Sequence, residues 1–151
     1  MQIFKCANNE STGDFTHIAV FDWEDIAANA TSSNQVTIAT IPAGGAVELC
    51  YVDETVALAG ASDITLDVGT TAGDPDEFIN ALDVDGMTVP VANTGDIMLQ
   101  GATTTTTLGG ALPVSFVASD TPVLVEWNGT VASLTAGQVT IGLRILDPRR
   151  F

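Results

Sequence analysis

Gln138-Val139-Thr140-Ile141-Gly142-Leu143-Arg144-Ile145-Leu146 alternates without a break, with Val139, Ile141, Leu143 and Ile145 on one side. Successive residues of an extended chain point to opposite faces, so a period of two describes a strand with one face in a core. Asp63-Ile64-Thr65-Leu66-Asp67-Val68 repeats the pattern. Ile64, Leu66 and Val68 point one way while Asp63, Thr65 and Asp67 point to water. Shorter runs of the same kind stand at Phe15–Phe21, Gln35–Ile41, Ala46–Thr55, Gly86–Val91, Asp96–Gln100, Pro113–Val117 and Pro122–Trp127. Turn chemistry separates them: Pro42-Ala43-Gly44-Gly45, Gly69 to Gly73, Asn93-Thr94-Gly95 and Asn128-Gly129. Pro42, Pro90, Pro113, Pro122 and Pro148 lie at the edges of runs, where a missing N–H does no harm to a ladder.

Eight or nine strands at this spacing predict an all-β fold, an antiparallel β-sandwich. A jelly-roll arrangement suits the strand count and tolerates long connections, and an immunoglobulin-like sandwich is the alternative. One short helix is expected near 74–82. Asp74 can cap it, Pro75 suits its first position, and Asp76 and Glu77 favour its positive end. Asp22–Ala27 reads as a bend, Asn29 to Asn34 as a polar turn, and Thr103–Thr107 as a loop or edge strand. Residues 1–14 show no sustained period and read as an N-terminal arm. Residues 15–147 form the sandwich domain, and 148–151 form a C-terminal tail.

At 151 residues the chain is long enough to bury one core. Hydrophobic residues make up 46% and charged residues 15%, the reverse of a disordered acidic tail. Nineteen acids against four bases give a formal charge of −15. A nucleic-acid partner needs Lys and Arg to displace counterions, and an anionic membrane surface needs basic clusters, so neither partner is expected. No apolar run approaches the roughly 18 residues of a membrane-spanning helix. The start, Met1-Gln2-Ile3-Phe4-Lys5-Cys6, turns polar too soon for a secretory signal. The mean hydropathy is +0.32. Apolar surface buried between copies is one way to accommodate that value.

The chemistry-bearing residues point away from catalysis. His17 stands alone as a histidine, inside an expected strand, and no Gly-x-Ser-x-Gly elbow accompanies it. Paired carboxylates are plentiful, but glycosidase chemistry needs two of them converging in a cleft, with aromatics to stack sugars. Only Trp23, Trp127 and Tyr51 lead that short list. Two cysteines and one histidine fall short of the four ligands of a usual zinc site. Cys6 and Cys50 read as free thiols, with a disulfide between them left open. Asp67, Asp74, Asp76, Glu77, Asp83 and Asp85 do not follow the spacing of a calcium loop and read as a cap plus solvated acids. No cofactor is expected.

Three segments carry a family resemblance. Thr40-Ile41-Pro42-Ala43-Gly44-Gly45-Ala46-Val47-Glu48-Leu49 resembles an opening found in small virion proteins of tailed bacteriophages. Ile64–Gly69 followed by Gly73-Asp74-Pro75-Asp76-Glu77-Phe78, and Leu134-Thr135-Ala136-Gly137-Gln138-Val139, are similar to later parts of the same proteins. The resemblance spans about residues 15–147 and rests on turns and strand edges. It implies a capsid decoration (cement) protein, or another head or fibre component, and an oligomer. On that reading a homotrimer binds the major capsid protein on the outside of an icosahedral shell. Phe4, Lys5, Arg149, Arg150 and Phe151 are the candidate contact residues, because Arg and aromatic side chains dominate interface energies. The alternative is a receptor- or carbohydrate-binding module of a fibre, which would show an exposed Trp or Tyr platform.

Overall fold

Val139, Ile141, Leu143 and Ile145 are each at most 6% exposed. They belong to strand β10 (Ala136–Leu146), which lies between β2 (His17–Asp22) and β4 (Ala46–Ala59). The computed structural model describes residues 1–5, 15–29, 35–93, 98–100 and 116–150. Among them β1 (Gln2–Lys5), β7 (Val91–Asn93) and β8 (Met98–Gln100) extend the same sheet, in the order β1-β2-β10-β4-β7-β8. A second sheet has the order β3-β9-β5-β6, with β3 at Val36–Ile41, β5 at Thr65–Gly69, β6 at Ile79–Asp83 and β9 at Thr121–Asn128. Every pairing is antiparallel. The all-β antiparallel sandwich expected from the alternation is what the chain forms.

The inward faces meet in one core. Phe21 of the larger sheet and Trp127 of the smaller pack edge to face, ring centres 5.4 Å apart. Ile64, Leu66, Val68, Val123 and Val125 fill the smaller sheet's side of that layer, all fully buried. Cys50 is a free thiol buried among them, and burial pushes its pKa up. Cys6 and Thr103–Thr107 lie outside the described residues.

The expected helix near 74–82 does not form. Residues 79–83 are strand β6, paired with β5 through Leu66↔Leu82 and Val68↔Ile79. The two pairs are two residues apart on β5 and three on β6, so β6 carries a bulge at Asn80-Ala81. That extra residue spaces buried Ile79 and Leu82 by three, the spacing of a helix, and hides a period of two. Of the acids that resembled a helix start, Glu77 instead binds the turn at Thr70-Thr71 and Asp76 accepts from Asn80. The helix, α1, is Trp23–Ala28, in the stretch read as a bend. Asp25 accepts the Asp22 N–H at 3.3 Å and pairs with the N-terminal ammonium of Met1. Ile26 is its buried contact with the core. Gln2–Lys5, read as part of an arm, is a strand too short to show a period. Gly86 to Pro90, read as a strand, is a connection, and pairing begins only at Val91.

The bulge yields a direct prediction. Ala81 has φ 46°, a left-handed backbone that costs a non-glycine residue about 1–2 kcal/mol. Glycine removes that strain and returns about 0.5–1 kcal/mol as unfolded-chain entropy. Ala81→Gly should therefore stabilise the fold by roughly 1 kcal/mol, raising the melting temperature by about 2–4 °C. Circular-dichroism melting tests this, and a lowered midpoint would show that the alanine methyl contributes more than its strain.

The candidate partner-binding end of the sandwich

Strand pairing fixes which chain segments share an end. Lys5 of β1 stands opposite His17 of β2, and His17 stands opposite Leu143 of β10. Three residues after Leu143 the last strand ends, and Pro148–Arg150 closes it with a 3-10 turn. The end of β1 at Lys5 and the C-terminal turn therefore lie at the same end of the larger sheet, while Met1 lies at the other, on Asp25 of α1. The turn Pro42–Gly45 and the segment 116–120 join them there. Gly44 N–H donates to the Val117 carbonyl at 2.8 Å, and Val117 N–H returns to the Gly45 carbonyl at 2.9 Å. Asp120 pins the turn by accepting the Ala43 N–H at 2.8 Å.

A shallow cleft opens at this end between Thr16, His17, Thr40, Pro42, Ile145 and Arg149. The Thr16 hydroxyl accepts the Ile145 N–H at 2.9 Å and lies 3.0 Å from His17 Nδ1, so the entry to β2 is tied to the exit of β10. Arg149 is exposed. Its backbone N–H and its Nε both donate to Asp147 Oδ1 at 3.1 Å. That bond, with Asp120 beyond it, holds the guanidinium proton more tightly than in a free arginine.

Charge is distributed by the same geometry. All four Lys and Arg residues lie at or near this end: Lys5, Arg144, Arg149 and Arg150. Arg144 is paired to Glu48 at 3.3 Å. The opposite end carries Asp22, Glu24 and Asp25 around α1, with Asp83 closing β6 and Asp63 and Asp85 in the connections beside it. Glu48, Asp120 and Asp147 stand among these cations, so the end groups the few bases without being cationic.

The candidate contact residues fall into two places. Arg149 and Arg150 form the C-terminal turn, and Phe151 lies outside the described residues. Phe4 is 50% exposed on β1, beside Ile3 at 43%. Lys5 ends that strand. Sequence reasoning named these residues but did not show that Lys5 and the C-terminal turn lie at one end of the sheet, because only the order β1-β2-β10 sets that.

Sequence reasoning also missed a row across the outer face of the larger sheet. Register places Phe4, Ile18, Gly142, Tyr51 and Ala92 side by side, one per strand from β1 to β7. A Cβ on Gly142 would lie 2.7 Å from the ring of Phe15, so the absent side chain makes room for that ring. Phe15 also packs on Tyr51, ring centres 5.3 Å apart. The row holds no charged residue.

The acidic loop and the aromatics have other partners. The Glu77 carboxylate is partly desolvated, which raises its pKa. The Thr71 hydroxyl and the Thr70 N–H at 2.6 Å outweigh that and hold it below the usual value. Burial, together with Glu126, Asp74 and Asp76, pushes the Asp67 carboxyl up, while the Ala81 N–H pulls the other way. Asp76 accepts from Asn80 at 3.1 Å. Among the described residues no three His, Cys, Asp or Glu side chains gather as a metal-binding group. Trp127 is 2% exposed, Tyr51 lies against Phe15, and Trp23 is packed against the core. These three residues do not form an exposed platform.

No protein-family model matches the chain, and no curated protein sequence matches it. Its fold is similar to that of a chain in the solved structure described as the cyanophage Pam1 capsid asymmetric unit, with a TM-score of 0.56 at 16% identity. The likeness covers 87% of this chain and 81% of that one, so it takes in nearly the whole sandwich.

Proposed function

We propose that this protein is a structural component of a bacteriophage particle. It decorates the outside of the icosahedral shell and cements contacts between capsid subunits. The observation that carries this reading is the fold likeness to a chain of a phage capsid unit, which covers 87% of this chain. The grouping of Lys5, Arg144, Arg149 and Arg150 at one end of a strongly acidic sandwich supports the choice of contact. The reading is also supported by the strand order β2-β10-β4-β7 facing β3-β9-β5-β6, which we read as the two interleaved Greek keys of a jelly roll, an architecture used in viral capsids. The role is mechanical rather than catalytic and uses no cofactor. The rigid sandwich spans a junction and the end that groups the bases faces carboxylates of the major capsid protein. Outward acids keep copies soluble and away from packaged nucleic acid.

Arg149, Arg150 and Phe151 are assigned to the shell contact, since they follow the last strand in sequence and Arg149 is exposed. Phe4 and Lys5 lie on an edge strand along the side and are assigned to contact between copies. A fibre-borne carbohydrate-binding role would call for stacking aromatics at the surface, and Trp127, Tyr51 and Trp23 are turned elsewhere. Deleting residues 149–151 tests the assignment. Folding should be nearly unchanged, because an exposed terminus adds little to a core. Occupancy on particles lacking the native copy should drop. Full occupancy by the truncated protein would remove the C-terminal segment from the shell contact. Absence of the chain from purified particles, by mass spectrometry, would remove the virion role itself.

A further inference from the structure

We propose that His17 is a pH-sensitive element: its protonation cancels a net negative charge in the cleft at the C-terminal turn and, on the function proposed above, tightens the shell contact. His17 is the chain's one histidine. It has the parity of buried Ala19 and Phe21 on β2, so its ring points inward, between the two sheets. There, at the mouth of the sandwich, Asp147 and Arg149 line the same cleft.

The hydrogen bonds around Thr16 fit a charged ring. The Thr16 hydroxyl accepts the Ile145 N–H at 2.9 Å and has the Leu143 carbonyl as an acceptor at 3.1 Å. With its one proton on that carbonyl, the oxygen keeps a second lone pair for His17 Nδ1, 3.0 Å away. An imidazolium therefore donates to Thr16 without loss of another bond. The neutral ring can accept the Thr16 proton instead, so the contact survives both states while the charge changes.

The charges facing the cleft come from the C-terminal turn and from segment 116–120. Asp147 accepts from Arg149 Nε at 3.1 Å, and Asp120 acts on Arg149 from beyond it. Strand β3 and its turn contribute Thr40 and Pro42, and β10 contributes Ile145, all uncharged. Arg144 alternates with buried Leu143 and Ile145, so it and its partner Glu48 belong to the other face. Lys5 of β1 stands opposite His17 in register, and lysine keeps its charge through the histidine range. Asp120 and Asp147 against Arg149 leave one net negative charge, which a protonated His17 brings to zero. Histidine makes that change between about pH 5 and 8. Carboxylates of a capsid subunit are then repelled less by the cleft and meet an Arg149 whose own acid is shared.

Nuclear magnetic resonance of the isolated native protein tests the switch without any shell. The His17 ring and the Arg149 Nε–H should shift with one common midpoint between about pH 5 and 8. The Arg149 signal should stay flat in His17→Gln. Asp147→Asn should lower the His17 midpoint, because a facing carboxylate favours the charged ring. On particles lacking the native copy, binding should be roughly three- to fivefold tighter at about pH 5.5 than at about pH 7.5, the scale of one surface charge contact. His17→Gln should abolish that difference. An Arg149 signal that ignores His17, or an unmoved midpoint in Asp147→Asn, would overturn the switch. A His17→Gln protein that keeps the full pH response on particles would overturn its link to the shell. Failure to bind particles at either pH would remove that link together with the virion role, and the resonance result would still decide the switch.

Discussion

Gly129→Ala is expected to cost about 2–5 kcal/mol of stability, combining left-handed strain of about 1–2 kcal/mol with overpacking of about 1–3 kcal/mol. Gly129 follows β9 with φ +97°, and an added Cβ would sit 2.1 Å from the Asp63 carbonyl oxygen. That oxygen belongs to backbone, so no side-chain rotation can relieve the contact. Asp63 itself has φ 58°, and its neighbour Ile64 is fully buried, so the strand entering the core cannot retreat. Two nearby bonds lock the crossing: Ser62 N–H to the Thr130 hydroxyl at 3.1 Å and the Thr130 hydroxyl to the Ser62 carbonyl at 2.8 Å. Urea unfolding measures the loss. A Gly129→Ala protein within about 0.5 kcal/mol of the native one, the range of ordinary surface changes, would mean the connection has room the geometry denies it.

Strands whose buried residues recur strictly every second position were readable from the sequence. Val139 to Ile145 and Ile64 to Val68 contain no inserted residue of their own, the register shifts beside them falling on β4 and β6, so side-chain period and burial coincide. Strand β6 failed for a definite reason, since one inserted residue turns a two-residue step into a three-residue step. Asp74 to Glu77 then supplied a false helix start, because an acid that binds turn N–H groups looks the same in sequence as one that caps a helix. Strand β1 failed because its four residues contain only two periods, and its apolar residues Ile3 and Phe4 are adjacent rather than alternating.

The site was readable only in part. Arg149, Arg150, Phe4 and Lys5 could be singled out by residue type, since few cations stand out in so acidic a chain. That Lys5, His17 and the exit of β10 share an end follows from non-local pairing, which leaves no mark on local spacing. The apolar row from Phe4 to Ala92 draws one residue from each of five strands, so no window of the chain contains it. The grouping of the few bases has the same origin, since the strand order places Lys5, Arg144 and the C-terminal turn at one end.

Ile141→Ala is expected to cost about 2–5 kcal/mol, through lost burial and the cavity left behind. Ile141 is fully buried at the middle of β10, opposite Ala19 on one side and Val52 on the other. Ala19 is too small to fill the gap. Val52 is β-branched and held by its own strand, so collapse around the site is limited. The strand belongs to both halves of the argument, since the same residues that anchor it in the core aim its exit toward the candidate shell-binding end. Loss at Ile141 should therefore lower the melting temperature by about 2–4 °C per kcal/mol while leaving the partner-binding residues of the folded protein intact. Deleting residues 149–151 should do the reverse. Calorimetry and particle occupancy measured on both proteins separate the two effects. If the Ile141→Ala protein binds particles poorly at temperatures where it is fully folded, the core and the attachment end are coupled, and the division between scaffold and anchor does not hold.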